Sequence, residues 1–153
     1  MSHIIDAIWI GSCADSANRS FLKERDIEHI VCCAEEFIHP PGFLYISNKV
    51  SQWCRIPIKD NSADKSTEHH FREGAKQIDE WVEQGKNVLV HCYEGKSRSV
   101  AVVITYLMLY KGMSFDVAYL QVKAQRSKAN IYHSYIPILK AINCGEEYTF
   151  LDS

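Results

Sequence analysis

The apolar positions along the chain change period several times, and those changes divide it into elements. Ile8-Trp9-Ile10 followed by Gly11 predicts a short strand ending in a turn, and Asp15 stands where it would cap a helix running to Arg25. The run from Ile27 to Ala34 predicts a buried strand. Pro40-Pro41-Gly42 then breaks the chain, and Phe43 to Ser47 and Trp53 to Ile58 read as two extended segments around a turn at Asn48-Lys49. From Glu68 the period lengthens: Phe71, Ala75, Ile78 and Val82 recur at helical spacing, Gly85 supplies a stop, and Asn87 to Val90 is a short, β-branched strand. Three helices follow, over Arg98 to Lys111, Phe115 to Gln125 and Ile131 to Asn143. Gly112 ends the first, Ser114 caps the second, Asn130 caps the third and Gly145 ends it. Strands interleaved with helices predict an α/β fold, a single domain over residues 1–153 with a central mixed, largely parallel sheet flanked by helices.

Composition narrows the class. At 153 residues with 46% hydrophobic positions, one core suffices without disulfides or a structural metal. The 17 basic residues against 19 acidic ones exclude the strongly basic balance of a nucleic-acid coat or a polybasic membrane anchor, so any anion site is local. The longest apolar runs, such as Val100 to Ile104, fall far short of the roughly 20 residues of a membrane span. Neither a signal-peptide stretch nor a lipidation box is present at the ends, so a cytoplasmic protein is expected. The cysteines are scattered in apolar company, which suits a reducing compartment. No Cys-x-x-Cys pair or His-x3-His spacing occurs, so neither a metal nor a cofactor is expected.

The chemistry lies in Val88-Leu89-Val90-His91-Cys92-Tyr93-Glu94-Gly95-Lys96-Ser97-Arg98-Ser99. It puts a cysteine where a buried strand ends and an arginine where a helix begins, five residues apart. If the segment between them curls, its backbone N–H groups converge at a helix N-terminus and form an anion cradle of phosphate size. Gly95 permits the curl, and Arg98 closes the cradle with a planar fork for two phosphate oxygens. A thiol at a helix N-terminus near Arg and His loses its proton more easily, so Cys92 is a thiolate at neutral pH and a nucleophile aimed at phosphorus. The plainer reading of the same cysteine is a buried structural thiol. A leaving oxygen needs a proton, and a carboxylic acid on a neighbouring loop is the usual donor.

These residues resemble the cysteine-dependent protein tyrosine phosphatase superfamily, whose loop reads His-Cys, five residues, Arg, then Ser or Thr. The match falls on His91, Cys92, Gly95, Arg98 and Ser99. More narrowly, the chain is similar to the small dual-specificity phosphatases over most of its length: Trp9-Ile10-Gly11-Ser12 resembles their opening strand, Ile56-Pro57-Ile58-Lys59-Asp60 their general-acid loop, and Ala101 to Val122 their paired helices. The interval from Asp60 to Cys92, 32 positions, fits that family. The resemblance implies Cys92 as nucleophile, Arg98 as phosphate clamp, Asp60 as the acid that later acts as base, Ser99 as the hydroxyl that helps the thiolate leave, and His91 as the residue that orders the loop. Tyr93, Glu94, Gly95, Lys96 and Ser97 would line the phosphate site. The chain departs from the pattern at Val100, where Pro is frequent, at Cys32 or Cys33, where Asn is frequent, and in the short segment Arg126 to Asn130.

Alternatives stand beside several of these assignments. Asp64 lies on the same loop as Asp60, and either carboxylate could merely cap the next helix. Cys32 and Cys33 face opposite sides of a strand, so one could approach Cys92 as a resolving thiol, or both could be core. Arg126 reads either as a second anion contact or as a solvated or helix-capping arginine. Trp53, Trp81, Tyr106, Tyr110 and Tyr119 read as packing, and Glu146-Glu147-Tyr148 as a frayed tail. The implied substrates are phosphorylated proteins, with phosphotyrosine and phosphoserine or phosphothreonine both admitted, no nucleic-acid partner, no membrane anchor, and a monomer as the default. Lys96 inside the loop raises a phosphoinositide phosphatase as the second reading, Glu94 opposes it, and a phosphoprotein-binding adaptor is the third.

Overall fold

The computed structural model describes residues 1–47 and 52–150. Among them, five strands form one sheet: β1 (Ser2–Ile5), β2 (Ile8–Gly11), β3 (Ile27–Cys32), β4 (Trp53–Arg55) and β5 (Asn87–His91), in the spatial order β1-β2-β5-β3-β4. β1 runs antiparallel to β2 and the remaining pairings are parallel, which is the mixed, largely parallel sheet expected from the sequence. The helices are α1 (Cys13–Ser16), α2 (Arg19–Glu24), α3 (Gly42–Ile46), α4 (Thr67–Glu83), α5 (Arg98–Lys111), α6 (Phe115–Gln125) and α7 (Tyr135–Asn143).

Alternation along the strands sorts side chains between two cores. Val88 and Val90 of β5 join Ile8 and Ile10 of β2 in the larger core, which also takes in the buried faces of α4 to α7. Leu89, with Trp9 beside it, joins Leu22, Ile27, Ile30 and Leu44 in a smaller core. Val88, Leu89 and Val90 are fully buried, and each contributes about 1.5–3 kcal/mol of apolar burial. β5 is therefore clamped from both faces, and the loop that follows it starts from a fixed point. α5 is buried from Arg98 to Met108, apolar on every side because the sheet lies on one side and α4, α6 and α7 on the others. α4 comes close enough to α5 that a Cβ on Gly74 would stand 2.6 Å from Val102 Cγ1, so glycine is what the packing requires there.

Several elements differ from the sequence pattern. β1 escapes the pattern because four residues flanked by a turn carry too little periodicity. Asp15 does not cap a helix to Arg25: Ser12 is the N-cap of α1, Asp15 returns a carboxylate to the Ser12 N–H at 2.9 Å, and Asn18 starts the separate α2. Phe43 to Ser47 is not extended but forms α3 after Pro40-Pro41-Gly42, its Leu44 buried in the smaller core. The expected turn at Asn48-Lys49 lies outside the described residues. The β3 strand stops at Cys32 and β4 at Arg55, beyond which Ile56 N–H still donates to the Cys32 carbonyl. The last helix begins at Tyr135 rather than Ile131, and Asn130 does not cap it; its backbone N–H instead donates to Lys96 O. The tail is anchored, because Tyr148 N–H donates to Glu68 Oε1 at 2.9 Å and its ring packs edge-on against Phe150.

Candidate active site

β5 ends at His91, beneath which the neighbouring strands β2 and β3 end in register at Gly11 and Cys32. The segment from Cys92 to Ser97 then turns up into α5. Four successive carbonyls of this turn are held from outside: Tyr93 O accepts from Cys13 N–H at 2.9 Å, and Lys96 O from Asn130 N–H at 2.8 Å. Between them, Glu94 O and Gly95 O accept from Arg126 Nη2 at 3.2 Å and Nε at 2.7 Å. In a planar trans peptide the N–H points opposite to the C=O, so fastening these carbonyls outward aims the N–H groups of residues 94 to 97 into the turn. That is the cradle inferred from the sequence, and the fastening residues lie far from it along the chain. Arg126 is neither a solvated side chain nor an anion contact: it is 6% exposed, and its remaining partners are Ile10 O and Ser2 Oγ. Gly95 takes φ +70°, and a Cβ there would lie 2.5 Å from Gly11 O.

Cys92 stands at the base of this turn, 3% exposed, with Sγ 3.3 Å from Ser99 Oγ. Burial by itself would raise its pKa. Hydrogen bonds from the Ser99 hydroxyl and backbone N–H, the Arg98 charge and the Gly95 N–H outweigh it, and the thiol is held below its ordinary value. His91 plays no part in that as a cation. Burial pushes its pKa down to about 4, so at neutral pH it is an uncharged ring whose Nδ1 lies 3.0 Å from the Cys92 carbonyl. The sequence argument counted His91 among the charges near the thiol; buried among apolar neighbours, it orders the loop instead.

Arg98, the first residue of α5, is 1% exposed. Its two terminal nitrogens each meet a carboxylate oxygen of Glu36 at 2.7 Å, Nη1 also donates to Ile58 O, and Nε lies 3.5 Å from Asp60 Oδ1. Asp60 and Cys92 face one cleft of about 570 Å³, whose walls include Tyr93, Lys96, Tyr132 and His133. Asp64 is committed elsewhere. It accepts from Ser66 N–H at 2.8 Å and from the Ser66 hydroxyl, pairs with Lys59 at 3.3 Å, and these partners hold its carboxyl below the usual range. Asn61, in a left-handed conformation (φ 47°), turns the chain directly after Asp60, and the Tyr135 hydroxyl pins the preceding carbonyl, Lys59 O, at 2.6 Å. Lys96 pairs with Glu94 at 3.7 Å, both exposed, and Ser97 Oγ accepts from Tyr132 N–H at 2.8 Å. Glu36 and Tyr135 lie outside every motif in the sequence; Arg126 stands out there as a candidate, but its role as a buried clamp on the turn depends on a burial that the sequence does not show. Among the described residues no group of three His, Cys, Asp or Glu side chains is arranged to hold a metal ion.

The fold and this loop define a class, phosphatases built on a Cys-x5-Arg turn at the end of a central parallel strand. Residues 8–143 match the family model "Dual specificity phosphatase, catalytic domain", and the chain belongs to that family. It is 38% identical over 131 residues to Dual specificity protein phosphatase 1 of Arabidopsis thaliana, covering 84% of this chain and 62% of that protein. It is 37% identical over 131 residues to Dual specificity protein phosphatase 1B of the same plant, covering 84% of this chain and 73% of that one. The crystal structure of human DUSP28 superposes with a TM-score of 0.82 over 94% of this chain and 93% of that one, at 22% identity.

Proposed function

We propose that this chain hydrolyses phosphotyrosine and phosphoserine or phosphothreonine on proteins through a phosphocysteine intermediate. The observation that carries the reading is the Cys92 thiol, its pKa lowered, at the foot of a turn whose N–H groups point inward beside the buried Arg98. In the first step Cys92 Sγ attacks phosphorus, the S–P bond forms, and the ester P–O bond breaks while Asp60 delivers a proton to the leaving oxygen. The loop N–H groups and Arg98 hold the phosphoryl oxygens throughout, where charge spreads in the transition state. In the second step water attacks phosphorus, the Asp60 carboxylate takes its proton, and the S–P bond breaks with Ser99 Oγ donating to the departing thiolate. Inorganic phosphate leaves and the enzyme is restored.

Phosphorylated proteins are favoured over phosphoinositides because Glu94 pairs with Lys96, which leaves the rim with little attraction for a headgroup of several phosphates. We take the working form to be a cytoplasmic monomer, in keeping with cysteines that are all free thiols. The test is phosphate release from phosphotyrosyl peptides, phosphothreonyl peptides and short-chain phosphoinositides at one ionic strength. The phosphotyrosyl peptide should have the highest kcat/KM, and a clear lipid preference would refute the ranking. Cys92→Ser should end turnover while retaining tungstate binding. Asp60→Ala should slow esters with poor leaving groups by about 100-fold and activated aryl esters less. Asp64→Ala should show no leaving-group dependence; if it does, the acid is Asp64.

A further inference from the structure

Arg98 is a buried cation, 1% exposed, so the destination of each of its N–H donors matters. Glu36 takes one from each terminal nitrogen, Oε2 from Nη1 and Oε1 from Nη2, both at 2.7 Å. Ile58 O takes a second hydrogen of Nη1 at 3.2 Å. Among the described residues no further hydrogen bond reaches the Nε–H or the other Nη2 hydrogen, and in a planar guanidinium these lie side by side along one edge. Asp60 Oδ1 is ion-paired with Nε at 3.5 Å, and Asp60 and Cys92 line the same cleft, so the edge that Glu36 leaves is the one turned toward the cleft.

Glu36 is not a loose surface side chain, although its side chain is 40% exposed. It sits on the segment after β3, which is fastened on both sides. Arg55 donates from Nε to Phe37 O at 2.9 Å and from Nη2 to Glu35 O at 2.5 Å. Glu35 N–H donates to Ile58 O at 3.1 Å, the same carbonyl that receives Arg98. The Phe37 ring lies parallel to that of Tyr93 in the catalytic turn, centroids 6.3 Å apart.

We propose that Glu36 is a positioning residue: its carboxylate grips Arg98 end-on and so presents the Nε–Nη2 edge to two oxygens of the phosphoryl group. A fork free to swivel about its long stem would meet those oxygens in the right plane only part of the time, whereas one fixed beforehand needs no reorganisation in the transition state. The opposite role, a carboxylate that occupies the anion site and must be expelled, conflicts with the donor count, because Glu36 leaves the pocket edge open. The inference rests on the phosphatase reading above.

Coulomb attraction and orientation predict opposite outcomes when the carboxylate is removed, and this separates them. Deleting a negative charge beside an anion site by itself tightens anion binding. Loss of the fixed fork weakens it. We expect Glu36→Ala to bind tungstate roughly tenfold more weakly and to lose roughly 10- to 100-fold in kcat toward p-nitrophenyl phosphate, with a smaller change in KM. Glu36→Gln, which keeps the shape and one acceptor, should fall between Ala and wild type; both variants leave the buried Arg98 without its counter-charge and should lower Tm, so tungstate binding and turnover are compared well below each variant's own transition. Tungstate affinity that is unchanged or tighter in Glu36→Ala and Glu36→Gln overturns the proposal. Wild-type protein that binds tungstate but hydrolyses no phosphate ester refutes the phosphatase reading instead, and the tungstate comparison still decides the role of Glu36.

Discussion

Arg126 Nε donates to the Gly95 carbonyl at 2.7 Å, at a point in the catalytic turn where no side chain fits: a Cβ on Gly95 would lie 2.6 Å from Arg126 Nη2. A buried arginine thereby fills the space that glycine vacates and holds two carbonyls outward from the turn. Its own pKa is lowered, first by burial, yet it stays fully charged at any working pH. Arg126→Met, of similar length and without donors, should leave Glu94 O and Gly95 O unsatisfied. The expected loss is about 2–4 kcal/mol of stability and at least roughly tenfold in kcat, read by thermal denaturation and aryl phosphate turnover. Gly95→Ala should reduce turnover without removing any functional group. Near wild-type kcat in both variants would show that the carbonyl fastening does not shape the cradle.

The thiol of Cys92 is lowered against burial chiefly by Ser99, through its hydroxyl and its backbone N–H. Thiolate is present above the pKa, so the alkylation rate by iodoacetamide rises as pH passes through it. Ser99→Ala removes the hydroxyl and should move that rise to higher pH, together with the acid limb of kcat/KM. It should also slow breakdown of the phosphoenzyme more than its formation, visible as a burst with an activated ester. An unmoved midpoint would place the source of the lowering elsewhere.

His91 couples the loop to acid stability. Its folded pKa of about 4 lies below the ordinary 6.5, so below pH 6.5 the unfolded chain takes up a proton that the folded one refuses. Stability is full above pH 6.5 and falls, by up to about 3 kcal/mol, as pH drops toward 4. Asp64, Glu36 and Asp15 also have lowered pKa values, and their contributions are lost only below the ordinary carboxylate range, whereas the His70 ring, lowered by its own burial, also loses stability below pH 6.5, so the His91 share between pH 6.5 and 5 is read as the difference that His91→Gln makes beside a His70→Gln control. Denaturant titrations of wild type and His91→Gln should therefore show a smaller acid loss for the variant within that span. Equal losses would refute the assignment.

We expect Cys33 rather than Cys32 to trap an oxidised Cys92. It follows Cys32, the partner of His91 in the β3–β5 register, so Cys33 and Cys92 leave neighbouring strands side by side, and Cys33 N–H donates to His91 O at 2.7 Å. Cys32 Sγ points instead to Ala34 O at 3.8 Å. Peroxide converts the Cys92 thiolate to a sulfenic acid with release of hydroxide, and condensation with the Cys33 thiol forms a disulfide and water. Peptide mapping after mild peroxide should find the Cys33–Cys92 link, reversed by thiol reductant and absent in Cys33→Ser. Cys92 sulfinic or sulfonic acid alone, or a link to Cys32, would exclude it.

Local chemistry was legible wherever it lay within one stretch of chain. The β5 strand, the turn and α5 are contiguous, so Val88 to Ser99 carried both the geometry and the reactive groups, and the long helical periods of α4 to α6 and the glycine stop at Gly112 were plain for the same reason. Short elements were not legible. A strand of four residues and a helix of five are too short to impose a period, and both are set by neighbours, β2 for β1 and, through Leu44, the smaller core for α3.

The sequence by itself therefore determined a Cys-x5-Arg turn between a strand and a helix of an α/β sheet, and offered two carboxylates for one acid. Tertiary structure decided between their surroundings: Asp60 stands at Arg98 in the cleft, and Asp64 is bound to Ser66 and Lys59. It also brought Glu36 to Arg98 across 62 positions and Arg126 to Gly95 across 31. Those pairings leave no trace in local pattern, because a buried charge finds its partner only when the elements carrying both have packed, and until then each is an ordinary polar residue on a loop.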